Sequence, residues 1–289
     1  MHEIINDHTP LPYSGGTNNT EPALKRLDED PANTNNVLLL YAMRSEGKTN
    51  FGTTLGWNRE HLWPNSFGLD DVRPSYTDLF NLRAEDATVN SARGNKYYDL
   101  SETNAASYRR PGHAEAPLTS TDSDSWEPPD VVKGDIARAL FYMDVRYEGD
   151  RTNELDLSLR DIATGINSST NMMGRLSTLI LWHEQDPVSE PERLRNDLID
   201  QLYQHNRNPF VDHPEWVELI FKPKIKITRV DQTFHVSWPM EFTNATLHFS
   251  TDNTGPWTTA PGAKMSSGAE VFQTIPGTEP IYFFRLKLR

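Results

Sequence analysis

Trp57-Asn58-Arg59-Glu60-His61-Leu62-Trp63-Pro64 sets a carboxylate beside an imidazole, with an arginine just before them and tryptophans on both sides. A carboxylate can hold a hard divalent cation, and an imidazole can take a proton from water at neutral pH. Together they supply two parts of a phosphodiester-hydrolysing site. The run from Asp78 to Asn95 supplies amides and arginines, groups that ligate metal and grip phosphate. Adjacent residues of a regular strand face opposite ways, so Glu60 and His61 are expected at a strand end or in a loop.

The rest of the chain bounds what such a site can belong to. Its 289 residues are enough for one large domain or two smaller ones. Hydrophobic residues make up 36%, with seven Trp, ten Tyr and twelve Phe, which fits a globular protein and not a disordered one. No apolar run approaches the length of a membrane span. The segment after Met1 is polar, without a visible secretory signal. There is no cysteine, which excludes disulfides, thiolate metal sites and a thiol nucleophile. The net charge of −13 argues against a polyanionic substrate only as a whole-molecule sum, because a cleft is a local field. Arg59, Arg73, Arg83, Arg93 and Lys96 all fall near the motif, so a basic groove on an acidic body is expected.

Outward from the motif, Val37–Tyr41 reads as a buried strand, and residues 47–56 as a turn into the catalytic element. Ala105–Pro129, dense in Pro, Ser, Thr and Asp, reads as a long surface loop. Helices are expected over Val131–Tyr147, Met172–Glu184 and Glu190–Asn206, the last opened by Ser189 as N-cap and Pro191 in the first turn. After Phe221 the pattern changes to short alternating runs at 224–228, 233–238, 245–250, 270–274 and 281–288, parted by Gly, Pro and Asn. The expected fold class is α+β. A mostly helical domain over 1–222 is followed by a small all-β, sandwich-like domain over 223–289.

The ordered pieces R-E-H-L-W-P, D-L-F-N-L-R and V-N-S-A-R-G-N resemble the bacterial endonuclease I family, particularly its secreted, Bacillus-type branch. The similarity continues through Gly134–Arg138, Phe141–Met143, Trp182-His183, Asp186–Val188 and Asn206–Pro214, and spans roughly residues 1–221. It implies a ββα-metal, or His-Me finger, motif. Position by position it makes His61 the general base, and Glu60 and Asn90 the ligands of one divalent cation. Mg²⁺ is the expected ion, with Ca²⁺ or Mn²⁺ as alternatives. Asn81 is an amide beside the core of the motif. Where relatives often have His this chain has Phe80, and Tyr76 replaces a carboxylate of the family's other branch. That branch's phosphate-gripping arginine lies in an insertion missing here, so Arg73 or Arg93 is proposed on chemistry. Asn95, Arg59 and Arg207 are further candidates for substrate contact.

The resemblance implies an endonuclease with 5′-phosphate products. No groove element for reading base edges is evident in the sequence, so binding is expected to follow the backbone without sequence specificity, on single- and double-stranded DNA and on RNA. A secreted or periplasmic monomer without membrane attachment is expected. Trp57 and Trp63 read as core. Trp182-His183-Glu184 reads as helix packing in preference to a metal site. Asp122 and Asp124 lack the spacing of an EF-hand. The Glu-His pair does not make a zinc protease, because no H-E-x-x-H occurs. The competing class is a secreted binding or adhesion protein that works through its C-terminal β-domain.

Overall fold

The computed structural model describes residues 1–69, 74–149, 155–161, 171–277, 279 and 281–288. The chain divides into two compact units, Met1–Val217 and Glu218–Arg289. Both α-helices and several small β-sheets are present, so the molecule is mixed α+β.

At the centre of the first unit is a hairpin. Strand Trp57–His61 runs antiparallel to Leu82–Asp86 and is followed at once by helix Ala87–Arg93. One apolar cluster, Leu24, Val37, Leu39, Ala42, Trp57, Leu82 and Ala84, anchors the hairpin. Leu24 comes from helix Thr20–Leu27, which Asn19 opens by accepting the Glu21 N–H at 2.9 Å. Trp57 and Trp63 are both fully buried, with their indole N–H groups on the carbonyls of Gly47 and Phe67.

Three longer helices complete the unit. Lys133–Arg146 packs on Leu176–Gln185, and Glu190–Leu202 lies beyond. Arg138 joins the first to the third, with Nε and Nη2 each 2.6 Å from a Glu192 oxygen. Ser189 caps the last of these, its Oγ accepting the Glu192 N–H at 3.3 Å. That helix stops at Leu202, four residues short of the expected end, and the second starts only at Leu176 because Met172–Met173 pairs as a short strand with Ser158–Leu159.

Two expectations fail on placement. The strand assigned to Val37–Tyr41 is Asn33–Leu38 instead. Its polar half hydrogen-bonds as an exposed hairpin, while Leu39–Ala42 are buried outside any strand. The surface loop read over 105–129 is partly buried too. Ser120–Thr121 and Ser125–Glu127 form a small sheet with Tyr97–Tyr98, and its hydroxyls bond inward.

The second unit holds two antiparallel sheets. One has Lys226–Val230, Thr233–Pro239, Glu270–Pro276 and Met265–Ser267 side by side, and the other has Thr258–Thr259, Thr246–Ser250 and Phe283–Lys287. Phe234, Val236 and Trp238 alternate inward on one sheet, and Leu247 is fully buried on the other. Phe234 meets Phe284 at 5.4 Å between ring centres, which ties the two sheets together.

Candidate active site

Local capping sets both ends of the helix that follows the hairpin. Asp86 ends the second strand and caps the helix, its Oδ1 accepting the N–H groups of Thr88 (2.8 Å) and Val89 (3.1 Å). Gly94 ends the helix with φ +57°, a conformation costly for residues with a Cβ, and its N–H returns to the Asn90 carbonyl at 3.0 Å. Asn90 is therefore held on the helix body, not at a cap. Its Nδ2 donates to Asn58 Oδ1 (2.7 Å) and to the Arg59 carbonyl (3.0 Å) on the neighbouring strand. That pairing fixes the amide plane and leaves Oδ1 as its acceptor end.

Glu60 and His61 are the last two residues of a regular strand, opposite Arg83 and Leu82. Their environments differ accordingly. Glu60 is 1% exposed. Its Oε1 accepts the Tyr41 hydroxyl at 2.7 Å and lies 3.3 Å from Arg93 Nη1. The Tyr98 hydroxyl bonds to that of Tyr41. Burial pushes the Glu60 carboxyl up, while Arg93 and the Tyr41 hydroxyl pull it back. Burial beside Glu60 also drives the Tyr41 phenol well above its ordinary value, so it stays a hydrogen-bond donor.

His61 is half-buried and faces other groups. Its Nε2 meets the Tyr76 carbonyl at 3.0 Å. The Tyr76 ring stacks on the imidazole at 4.8 Å, and Tyr13 lies parallel at 6.0 Å. Arg59 lays its guanidinium over Tyr13 at 3.9 Å and donates to the Tyr13 carbonyl at 2.9 Å.

The candidate phosphate contacts separate clearly. Arg93 turns inward and is 1% exposed. Nη1 donates to the His61 carbonyl (2.9 Å) and Nη2 to the Leu62 carbonyl (2.7 Å). Arg83 pairs with Asp28 (3.2 Å) and Asp135 (3.8 Å). Lys96 bonds to Thr121 and the Asp122 carbonyl. Arg207 is held by Asp212, Asp197 and Asp200 at 2.7, 2.8 and 3.7 Å. The basic groove expected from Arg59, Arg73, Arg83, Arg93 and Lys96 is therefore not formed by all of the four that are described. Arg83 and Arg93 pair with carboxylates, Lys96 bonds to a hydroxyl and a backbone carbonyl, and Arg59 bonds to the Tyr13 carbonyl and lies over its ring. Asn95 is exposed, just past Gly94, and Arg73 lies outside the described residues.

Asn81 is fully buried. Its Oδ1 accepts from Trp63 N at 2.7 Å and its Nδ2 donates to Trp63 O at 3.2 Å, so it clamps the chain just after the strand. Tyr13, Tyr41, Asn58 and Tyr98 were not singled out from the sequence. A tyrosine ending the apolar run Val37–Leu40 is a signal, since a buried hydroxyl needs a partner. Tyr76 was noted for its side chain, whereas its backbone carbonyl makes the contact.

For a hard cation the available donors are a carboxylate and an amide oxygen, the class that Mg²⁺ and Ca²⁺ prefer. Among the described residues no group of three His, Cys, Asp or Glu side chains could hold an ion alone. The donor set fits a cation that keeps most of its shell for water and phosphate. The other acidic candidates are committed elsewhere. Asp122 accepts the backbone N–H of Glu102, Asp124 and Ser125. His183 lies between Arg138 and the Pro214 carbonyl.

Residues 2–215 match the family described as Endonuclease I. The chain is 50% identical over 223 residues to an extracellular ribonuclease of Bacillus amyloliquefaciens, covering 76% of this chain and 72% of the relative. It is 49% identical, over the same shares, to an extracellular ribonuclease of Bacillus subtilis strain 168. With three quarters of its length inside the family match and half of the aligned residues shared with these nucleases, the chain belongs to the endonuclease I family of nucleic-acid-hydrolysing enzymes.

Proposed function

We propose that the chain is a divalent-cation-dependent, sequence-nonspecific endonuclease that cuts RNA and single- and double-stranded DNA and leaves 5′ phosphates. The observation that carries this reading is the clamp on His61. Nε2 points at the Tyr76 carbonyl at 3.0 Å, which favours the tautomer with its proton there. The lone pair then belongs to Nδ1, the atom that takes a proton from the attacking water. Stacking on Tyr76 and Tyr13 holds the ring in that pose. The antiparallel hairpin followed directly by a helix supports the ββα-metal reading.

General-base catalysis of this kind contributes about 10²–10⁴-fold, so electrostatic stabilisation supplies much of the rest. Glu60 and Asn90 are the residues that would hold the Mg²⁺, Ca²⁺ or Mn²⁺ ion. When bound, it supplies charge neutralisation at the scissile phosphate and the departing oxygen. The Tyr41 hydroxyl keeps Glu60 Oε1 in place, and Arg93 fixes the carbonyls of His61 and Leu62. Arg59, beside the Tyr13–His61 stack, is better disposed than Arg93 to bind a nonbridging phosphate oxygen. Asn95, exposed just past Gly94, extends that contact along the backbone, and Arg73, outside the described residues, is a further phosphate contact on its chemistry alone. Asn81 acts through the Trp63 backbone as a positioning residue.

Recognition through phosphates, without contacts to base edges, makes the enzyme nonspecific. The names of the Bacillus relatives support RNA as a substrate and secretion as the destination. The protein acts as a monomer.

Plasmid DNA and a long RNA, each incubated with Mg²⁺ or with EDTA, test this reading. The wild type should degrade both only with Mg²⁺, and His61→Ala should be slower by about 10²–10⁴-fold. A His61→Ala protein that matches the wild type removes the base from its role, and full activity in EDTA removes the cation.

A further inference from the structure

The C-terminal unit carries charge of the opposite sense to the rest of the chain. Residues 218–289 hold eight Lys and Arg against six Asp and Glu, whereas the whole chain holds 28 against 41. Part of that charge lies on one sheet face. In the sheet of Thr258–Thr259, Thr246–Ser250 and Phe283–Lys287, Lys287 stands opposite Thr246, Arg285 opposite His248, and Phe283 opposite Ser250. His248 also stands opposite Thr259.

Cross-strand partners share a face, and so do residues two apart along a strand. Lys287, Arg285, His248 and Phe283 therefore lie on one side. Leu247, Phe249 and Phe284 take the other, where Phe249 and Phe284 pack with Tyr282 and Phe234. The first side is the open one, since Arg285 and Lys287 are exposed and Phe283 is 37% exposed. The Trp257 ring joins it, with the Arg285 guanidinium 4.2 Å above its centre. None of the three strands contains an acid. The nearest acid in sequence, Asp252, bonds back to Thr254 in its own turn. The His248 imidazole titrates low, first through burial and then through Arg285 and Lys287, which reports the same cluster of positive charge.

We propose that this face is a second nucleic-acid site, which binds single-stranded RNA or DNA through phosphates on Arg285 and Lys287 and through bases stacked on Trp257 and Phe283. The inference rests on the chain's substrate being a polynucleotide, but on no residue of the hydrolytic site, all of which precede residue 218. Charge complementarity selects the ligand. Two cations two residues apart on a strand are spaced by about 7 Å and suit successive phosphates of an extended strand. Flanking aromatic rings accept any base, because every base has a π-face. An acidic polysaccharide or peptide offers the charges without the stacking partners. Binding here tethers a long substrate and raises its local concentration at the enzyme.

The test uses the full chain and a labelled, cleavage-resistant 2′-O-methyl phosphorothioate oligonucleotide in EDTA, read by fluorescence anisotropy. Arg285→Glu with Lys287→Glu should weaken binding at least fivefold and reduce the log–log salt slope by about 1.4, the share of two phosphates on a single strand. Trp257→Ala should weaken it severalfold. Hydrolysis of bis(p-nitrophenyl) phosphate should be unchanged in every variant, because that small diester needs no tether. Should charge reversal lower the melting temperature, the pair Arg285→Gln and Lys287→Gln replaces it with the same expectation. Wild-type affinity in the charge variants overturns the proposal. So does a charge-variant loss of heparin or polyglutamate binding with oligonucleotide binding retained, which assigns the face to another polymer. A wild type that binds the oligonucleotide but cuts no polynucleotide removes only the hydrolytic reading and leaves this one standing.

Discussion

Glu85 shows how one buried carboxyl beneath the active strand ties the hairpin to the core. It is fully buried, and its oxygens accept the backbone N–H groups of Tyr41 (2.6 Å) and Ala42 (3.3 Å). Burial, opposed by those backbone bonds and reinforced by the charge of Glu60, pushes it up to about 8. The folded protein thus holds a proton that an unfolded glutamate, ordinarily near 4.5, has released. Its contribution to stability is complete below that lower value and is lost as pH rises through about 8. Glu85→Gln keeps an acceptor oxygen for the closer Tyr41 N–H, loses the one that meets Ala42, and removes the titration. The melting temperature of the variant relative to the wild type should rise by several degrees between pH 5 and pH 9, on top of a constant loss from the missing Ala42 bond. Parallel melting curves for the two proteins across that range would show that Glu85 does not carry the effect.

Among the elements, the join between helices Lys133–Arg146 and Glu190–Leu202 is the most exposed to a single change. Arg138 is fully buried, with a two-pronged contact to Glu192 and a third bond to the Asp186 carbonyl at 2.8 Å. Burial and the neighbouring Asp135 push the Glu192 carboxyl up to about 7, against the pull of Arg138. Removing the arginine leaves a buried carboxylate unpaired, a loss of about 3–5 kcal/mol. Arg138→Ala should lower the urea-unfolding free energy by that order at pH 8. The loss should be smaller at pH 5, where Glu192 can take a proton instead. An equal loss at both pH values would mean that packing, and not the ion pair, dominates. Helix boundaries follow the same logic. Ser189 starts its helix because its Oγ meets an otherwise orphaned N–H, a local event that needs no tertiary partner.

At the scale of the molecule, two units of different composition share one chain. Every residue placed in the hydrolytic machinery lies in Met1–Val217, and that unit has its own apolar core. A chain ending at Phe221, which keeps the short helix Trp216–Phe221 whole, should hydrolyse bis(p-nitrophenyl) phosphate at the full-length rate. A folded but inactive truncation would show that the β-unit takes part in chemistry. Kinetics on long RNA should separate the two roles, with KM rising on truncation and kcat holding.

Much of this was present in the order of residues. The Glu60-His61 pair, the amide at Asn90 and the ordered motifs around them mark the family without any coordinates, because their chemistry and spacing are local. The helices at 133–146 and 190–202 follow from apolar spacing and from Ser189 and Pro191. The alternating runs after Phe221 announce strands, since a half-buried strand must alternate. Misplacement occurred where long-range pairing decides. Polar Asn33–Asn36 form a strand because Ser45–Gly47 and Glu29–Asp30 flank them, and Ser120–Glu127 goes inside because its hydroxyls find partners there. Arg93 reads as a phosphate ligand in sequence, yet carbonyls 31 and 32 residues away draw its guanidinium inward. The tyrosines that orient Glu60 and His61 come from positions 13, 41 and 76, so only folding brings them to the strand. Sequence alone determined which chemical groups are present and the local elements that carry them. The tertiary structure decided which charges are satisfied within the protein, because that depends on partners distant along the chain.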